Sequence, residues 1–208
     1  MSTLLGFFHA GGGMMYVLTF TSIILITLSI ERLITLRRAS RDGDGLLDEI
    51  KRVTNNNPKS NIQLAQDLCL NTGGSLGRMF ERGLRNSMRD ADAIERAMEQ
   101  EAANEIPMLE ANLTIIKTIV NIAPLLGLLG TIAGMMGAFH AAQLQGLNNP
   151  TAILGGVGEA LISTATGITL AIIGFIAFNY FSLQSRKIVE DMEYYGAELV
   201  NYLTGRVD

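Results

Sequence analysis

The chain has 208 residues, 48% of them hydrophobic and only 17% charged, with a net charge of −4 and a mean hydropathy of +0.28. That balance excludes an intrinsically disordered chain, and the absence of a basic stripe excludes a nucleic-acid binder. A single cysteine, Cys69, and two histidines 131 positions apart (His9 and His140) exclude a disulfide framework and leave no set of metal ligands, so neither metal nor cofactor is expected.

The placement of charge is more informative than its total. Residues 1–30 carry none, residues 31–117 carry many, and over the 68 residues from Thr118 to Ser185 only Glu159 is charged. A soluble helix must solvate one face, and a stretch this long without charge does not. A bilayer explains it, since a spanning helix needs about 20 apolar residues. Three spans follow, at about Met14–Ile34, Leu113–Ala141 and Ala152–Leu183. The second and third are longer than a hydrocarbon core of about 30 Å requires and are expected to run on past the membrane.

In chain order, residues 1–13 form an outer or interfacial N-terminus. Leu4, Leu5, Phe7 and Phe8 suggest a short surface helix, and Gly11–Gly13 a hinge. His9, like His140 at the outer end of span two, reads as an interfacial histidine without a chemical role. Residues 14–36 are the first transmembrane helix, a signal anchor rather than a cleaved leader, because no basic segment precedes it. Residues 37–110 form a polar helical domain, with helices expected over Asp44–Val53, Asn61–Leu70 and from a Ser75 cap to Ser87. Ile94, Met98, Ala102, Ile106, Leu109 and Leu113 then recur at helical spacing, predicting one helix that feeds span two and is kinked at Pro107. Cys69 is expected to be buried and inert. Residues 111–141 hold the second span, 142–151 a short outer loop, 152–185 the third span and 186–208 a C-terminal helix.

Every one of the 16 Lys and Arg residues lies between Arg32 and Lys117 or after Leu183. Positive residues stay on the cytoplasmic side, which puts the N-terminus outside and the C-terminus inside. The fold class expected is an all-α membrane protein with three spans, two of them extended into a cytoplasmic helical domain.

No phosphate-binding loop, dinucleotide fingerprint, zinc-protease motif or nucleophile elbow is present, so the chain does not read as an enzyme. What chemistry there is lies within the spans. Gly127, Gly130, Gly134 and Gly137 of span two make one smooth face, and Gly156, Ala160, Ser163 and Gly167 repeat the device in span three. Small faces of this kind let helices approach closely, within or between subunits, and are expected here to seal subunit to subunit. Glu159 sits about 10 Å into span three, and a carboxylate there is a functional candidate by default. Thr131 and Thr164 fall at nearly one depth, about 15 and 18 Å, with Ser163 and Thr166 beside them. At 100° per residue, Glu159 and Thr164 point about 140° apart, flanking a cavity rather than lining one stripe.

The stretch Ala123-Pro-Leu-Leu-Gly-Leu-Leu-Gly-Thr-Ile-Ala-Gly-Met-Met-Gly-Ala-Phe139, then Gly158-Glu-Ala-Leu-Ile-Ser-Thr-Ala-Thr-Gly-Ile-Thr-Leu-Ala-Ile172 and Asn179, strongly resembles the MotA/TolQ/ExbB proton-channel family. Three spans with the N-terminus outside resemble its ExbB/TolQ branch. The resemblance implies a homopentamer in the bacterial inner membrane around a dimer of a single-span ExbD/TolR-like partner whose membrane Asp takes up and releases protons. It implies that Thr131 and Thr164 line the pore facing that Asp, with Glu159 and Pro124 on the same inner surface. It further implies mechanical output through a TonB/TolA-like or gliding-type effector. One position departs from the family pattern: a proline usual in span three is here Ile173, followed by Gly174. The reading set against a proton-driven motor subunit is a non-conducting membrane scaffold, which has no need to bury Glu159. A secondary transporter is disfavoured by three spans without an internal repeat.

Overall fold

The computed structural model describes residues 11–40, 43–55, 57, 60–145 and 150–206; the expected surface helix at Leu4–Phe8, His9 and residues 146–149 of the expected outer loop fall outside them, while the rest of that loop is helical. The described residues form seven helices: α1 (Met14–Ala39), α2 (Gly43–Val53), α3 (Ile62–Thr72), α4 (Gly74–Arg85), α5 (Ala91–Glu110), α6 (Leu113–Gln145) and α7 (Pro150–Thr204). Three stretches are long and apolar enough to cross a membrane: α1, the stretch from α5 into α6, and α7. The protein is therefore an all-helical membrane protein.

The chain divides into two compact units. One, the apolar unit, comprises residues 1–30 and Asn112–Tyr180; the other, the polar unit, comprises Glu31–Ala111 and Phe181–Asp208.

In the apolar unit, α1, α6 and α7 bury narrow stripes and expose large apolar side chains such as Phe20, Ile26, Leu125, Leu128, Phe139, Leu161 and Ile176. Exposure of this extent is unfavourable in water and natural in lipid. The hydroxyls of α1 turn inward on its own backbone: Thr19, Thr21, Thr27 and Ser29 each donate to the carbonyl four residues earlier. That satisfies the donors without a partner helix. Gly174 lets α7 close on its neighbours, since a methyl there would lie 2.9 Å from Val120 of α6 and 3.2 Å from Leu25 of α1. Ile173, where the family pattern has proline, is exposed, and α7 continues through it as one helix.

The polar unit is held by side chains. Phe80 and Leu84 of α4, Ile94 and Leu109 of α5, Ile50 of α2 and Met192 and Leu199 of α7 are almost fully buried. Gly73 and Gly74 join α3 to α4 with φ of 68° and 75°, a conformation that side chains resist. This corrects the expected cap: α4 starts at Gly74, and Ser75 lies inside the helix, fully buried, with an Oγ that has no partner among the described residues. The helix expected to run unbroken into span two is also divided. Pro107 stays within α5, but α5 ends at Glu110, Ala111 is extended and Asn112 is left-handed at φ 60°, before α6 restarts at Leu113. Asn adopts that conformation more readily than other side chains, so the break falls there rather than at the proline.

Cys69 is fully buried, and that burial, with the negative charge of Glu81, pushes its thiol up to about 12. It stays protonated and unreactive at neutral pH.

Candidate functional site

The candidate site residues lie on α6 and α7 of the apolar unit, and glycine sets how close the two helices come. A methyl on Gly127 would stand 3.0 Å from the Thr164 Cα, and one on Gly167 2.6 Å from the Ala123 carbonyl oxygen. At Gly134 it would meet the Gly156 carbonyl at 2.9 Å, and at Gly156 the Ala138 methyl at 2.7 Å. At Gly130 it would collide with the Ser163 hydroxyl. Gly127, Gly130, Gly134, Gly156 and Gly167 thus form a seam inside one chain rather than a seal between subunits. Gly137 is the exception, with open space where its side chain would be.

The seam carries the polar residues. Thr164 donates its hydroxyl across it to the Gly127 carbonyl at 3.0 Å, tying α7 to α6. Ser163 beside it is fully buried against Gly130, and its Oγ has no hydrogen-bond partner among the described residues. Thr131, next to Gly130, is half-exposed and donates to the Leu128 carbonyl of its own helix at 2.7 Å. Thr166 likewise bonds back to Ile162. Pro124 is half-buried within α6, one turn from Gly127. The structure therefore brings Thr164, Ser163, Gly127 and Gly130 together, with Thr131 adjoining.

Glu159 lies elsewhere. Its carboxylate packs against Gly12, so closely that any side chain at Gly12 would overlap it. Gly12 has φ 65° and its carbonyl accepts from the Met15 N–H, opening α1. Glu159 is half-buried, and no cation pairs with it among the described residues. The carboxyl is thus held at the N-terminal end of α1, where the helix dipole favours negative charge. The Gly11–Gly13 run, which reads from the sequence as a hinge, holds the glycine that seats this carboxyl, a role for which the sequence carries no local signal.

Two further charged contacts gave no sequence signal. Arg32, almost fully buried in the polar unit, pairs with Glu31 and donates to the Met108 carbonyl at 3.0 Å, satisfying the end of α5. Arg78 grips the buried Glu105 through two nitrogens, and that bond raises the guanidinium pKa further. No cluster of three His, Cys, Asp or Glu able to hold a metal occurs among the described residues.

Three apolar helices, a close-packed seam with hydroxyls on it and one acid seated at the start of the first helix define a polytopic helical membrane protein. The model of the MotA/TolQ/ExbB proton channel family matches residues 72–194, and the chain belongs to that family. It is 33% identical over 129 residues to the biopolymer transport protein ExbB of Xanthomonas campestris pv. campestris, covering 62% of this chain and 49% of that protein. It is 30% identical over 175 residues to the putative biopolymer transport protein ExbB-like 3 of Synechocystis, covering 83% and 81%. To the Tol-Pal system protein TolQ of Pseudomonas aeruginosa it is 34% identical over 98 residues, covering 47% and 42%. The match thus spans about half the length of the Xanthomonas protein.

Proposed function

We propose that this chain is the channel-forming subunit of an ion-driven motor in a bacterial inner membrane. In this reading it assembles as a homopentamer around a single-span ExbD/TolR-like partner and couples proton flow to mechanical work on the envelope. Its N-terminus faces the periplasm, and the polar unit lies in the cytoplasm. Membership of a proton channel family, with relatives named ExbB and TolQ, supports the reading. The observation that carries it is Glu159: a carboxylate in a span, with no cationic partner among the described residues, held against a backbone that only glycine permits. Thr131, Thr164, Ser163 and Pro124 supply the polar side of the pathway, Thr164 through the seam it closes.

Thr131 spends its hydroxyl on the Leu128 carbonyl of its own helix rather than turning it to a pathway, which favours the second reading, a scaffold that does not conduct. Glu159→Gln separates the two. Gln keeps the shape and hydrogen-bonding capacity but cannot exchange a proton. In reconstituted vesicles with the cognate partner, the Gln variant is expected to assemble normally and lose most proton flux, about tenfold or more, a loss typical of removing a proton-transfer group. Full flux from a correctly assembled Gln variant refutes the ionisable role.

A further inference from the structure

Helix α5 of the polar unit separates two grooves of opposite charge. On one side Arg82 and Arg85 of α4, Arg89 of the connecting turn and Arg96 of α5 line a groove of ≈ 770 Å³ that holds one acid, Asp90. On the other, Glu95 and Glu99 of α5 and Glu193 of α7 rim a groove of ≈ 620 Å³ floored by Met98 and Met192, with one base, Arg206. At 100° per residue the α5 positions lining the two grooves are centred about 135° apart around the helix. Among the described residues Arg82, Arg85 and Arg89 have no carboxylate within 4.0 Å, and Glu95, Glu99 and Glu193 have no cation; only Arg96 is paired, weakly, to Asp92 at 3.8 Å. The dipole of α4 accounts for arginines in its last turn, Arg82 and Arg85, but not for Arg89 or Arg96, which lie beyond it.

We propose that the arginine groove of one copy docks on the glutamate-rimmed groove of the next, forming a head-to-tail contact between polar units. The inference rests on the homo-oligomer of the proposed function and names the surfaces that join it. A contact between two different faces is heterologous, and such contacts close into rings when the rotation allows. Facing arginines and glutamates set the register and suppress wrong pairings. A free anion or an acidic lipid satisfies the arginines alone and leaves the glutamate rim, on the same helix, without a counterpart.

The test is a charge swap in the 208-residue chain, purified in detergent, with assembly followed by mass over a dilution series. Arg85→Glu with Arg89→Glu is expected to raise the half-assembly concentration about tenfold, or about 1.4 kcal/mol. Adding Glu95→Arg and Glu99→Arg in the same chain restores complementarity with the signs exchanged, and assembly is expected to return to near the wild-type level. Restoration also rules out misfolding, since an unfolded polar unit cannot be rescued by further charge reversal. Unchanged assembly of the first variant overturns the proposal. So does failure of the four-fold variant to reassemble while its helicity stays native. Loss of binding to phosphatidylglycerol vesicles in the first variant, with assembly intact, overturns it in favour of a lipid. If the charge swap has no effect while proton flux still depends on Glu159, only this contact fails. A wild-type chain that stays monomeric at every concentration removes the oligomer itself.

Discussion

The two units of this chain hold their helices together by opposite means. In the apolar unit α6 and α7 meet where side chains are missing, at Gly127, Gly130, Gly134, Gly156 and Gly167. In the polar unit the helices meet through bulk: Phe80, Leu84, Ile94, Met192 and Leu199 fill the interior. Even the glycines of the polar unit serve large neighbours, Gly83 making room for Met98 and Leu199, and Gly196 for Met79. The difference follows from the solvent. Lipid tails are as apolar as leucine, so burying leucine against leucine in a bilayer gains little, and helices adhere through close backbone packing and interhelical hydrogen bonds. In water the apolar side chain itself supplies the drive, about 25 cal/mol per Å² removed from solvent.

The contrast is broken most severely at the seam. Gly130→Leu drives a branched side chain into Ser163 and is expected to cost about 3 kcal/mol or more, abolishing the packed apolar unit. Gly137→Leu, on the same helix but facing open space, is expected to leave the chain's own stability unchanged or slightly raised, since leucine is the better helix former. Thermal melts of the two detergent-purified variants by circular dichroism check this, and equal losses would sink the argument. A Gly137→Leu protein with a normal melt but reduced assembly would assign that glycine to a neighbouring subunit.

Much of this division is legible in the sequence. The 68 residues with a single charge locate two spans, and glycines at three- and four-residue spacing mark a close-packing face. What the pattern leaves open is which helix that face meets. A stripe of small residues fits a neighbour in the same chain as well as one in another, and only the contacts of Gly127, Gly130 and Gly167 decide for the same chain. The break at Asn112 was illegible for a related reason: Pro107 is the stronger local signal, yet a helix can carry a proline, while a left-handed Asn cannot continue one. Glu159 was conspicuous as an isolated acid. Its neighbour Gly12 was hidden, because the 146 residues between them give no sequence cue to contact. Arg78 and Glu105, 27 residues apart, were hidden in the same way among many other surface-type charges.

The next largest effect tests the polar unit. Arg78 is half-exposed, while Glu105 is 2% exposed. Arg78→Ala leaves that carboxylate buried without its partner, which costs about 3–5 kcal/mol for a fully buried pair. With one partner in solvent, about 2 kcal/mol is the expected loss. Arg78→Ala with Glu105→Leu should recover most of it, because the orphaned charge is gone. Chemical denaturation followed by helicity measures both. A single variant as stable as wild type would show that solvent already satisfies Glu105.

The smallest effect falls at the centre of the seam, on Ser163. Its hydroxyl is fully buried, packed against Gly130, and has no hydrogen-bond partner among the described residues. A buried hydroxyl that bonds nothing costs desolvation without return, so Ser163→Ala should be neutral or stabilise by up to about 1 kcal/mol. Thr164 is the control one residue on. Its hydroxyl bonds the Gly127 carbonyl across the seam, so Thr164→Ala should lose about 1 kcal/mol, and Thr164→Ser, which keeps the oxygen, should lose less. Thermal midpoints of the three variants therefore rank as Ser163→Ala, Thr164→Ser, Thr164→Ala from highest to lowest. If Ser163→Ala instead melts well below wild type, its hydroxyl has a partner that the isolated chain does not supply, such as a water in a conducting path or a group on the single-span subunit. Flux through the same variant then tells these apart, because a residue that only packs loses no transport on becoming alanine, whereas a residue of the proton path does.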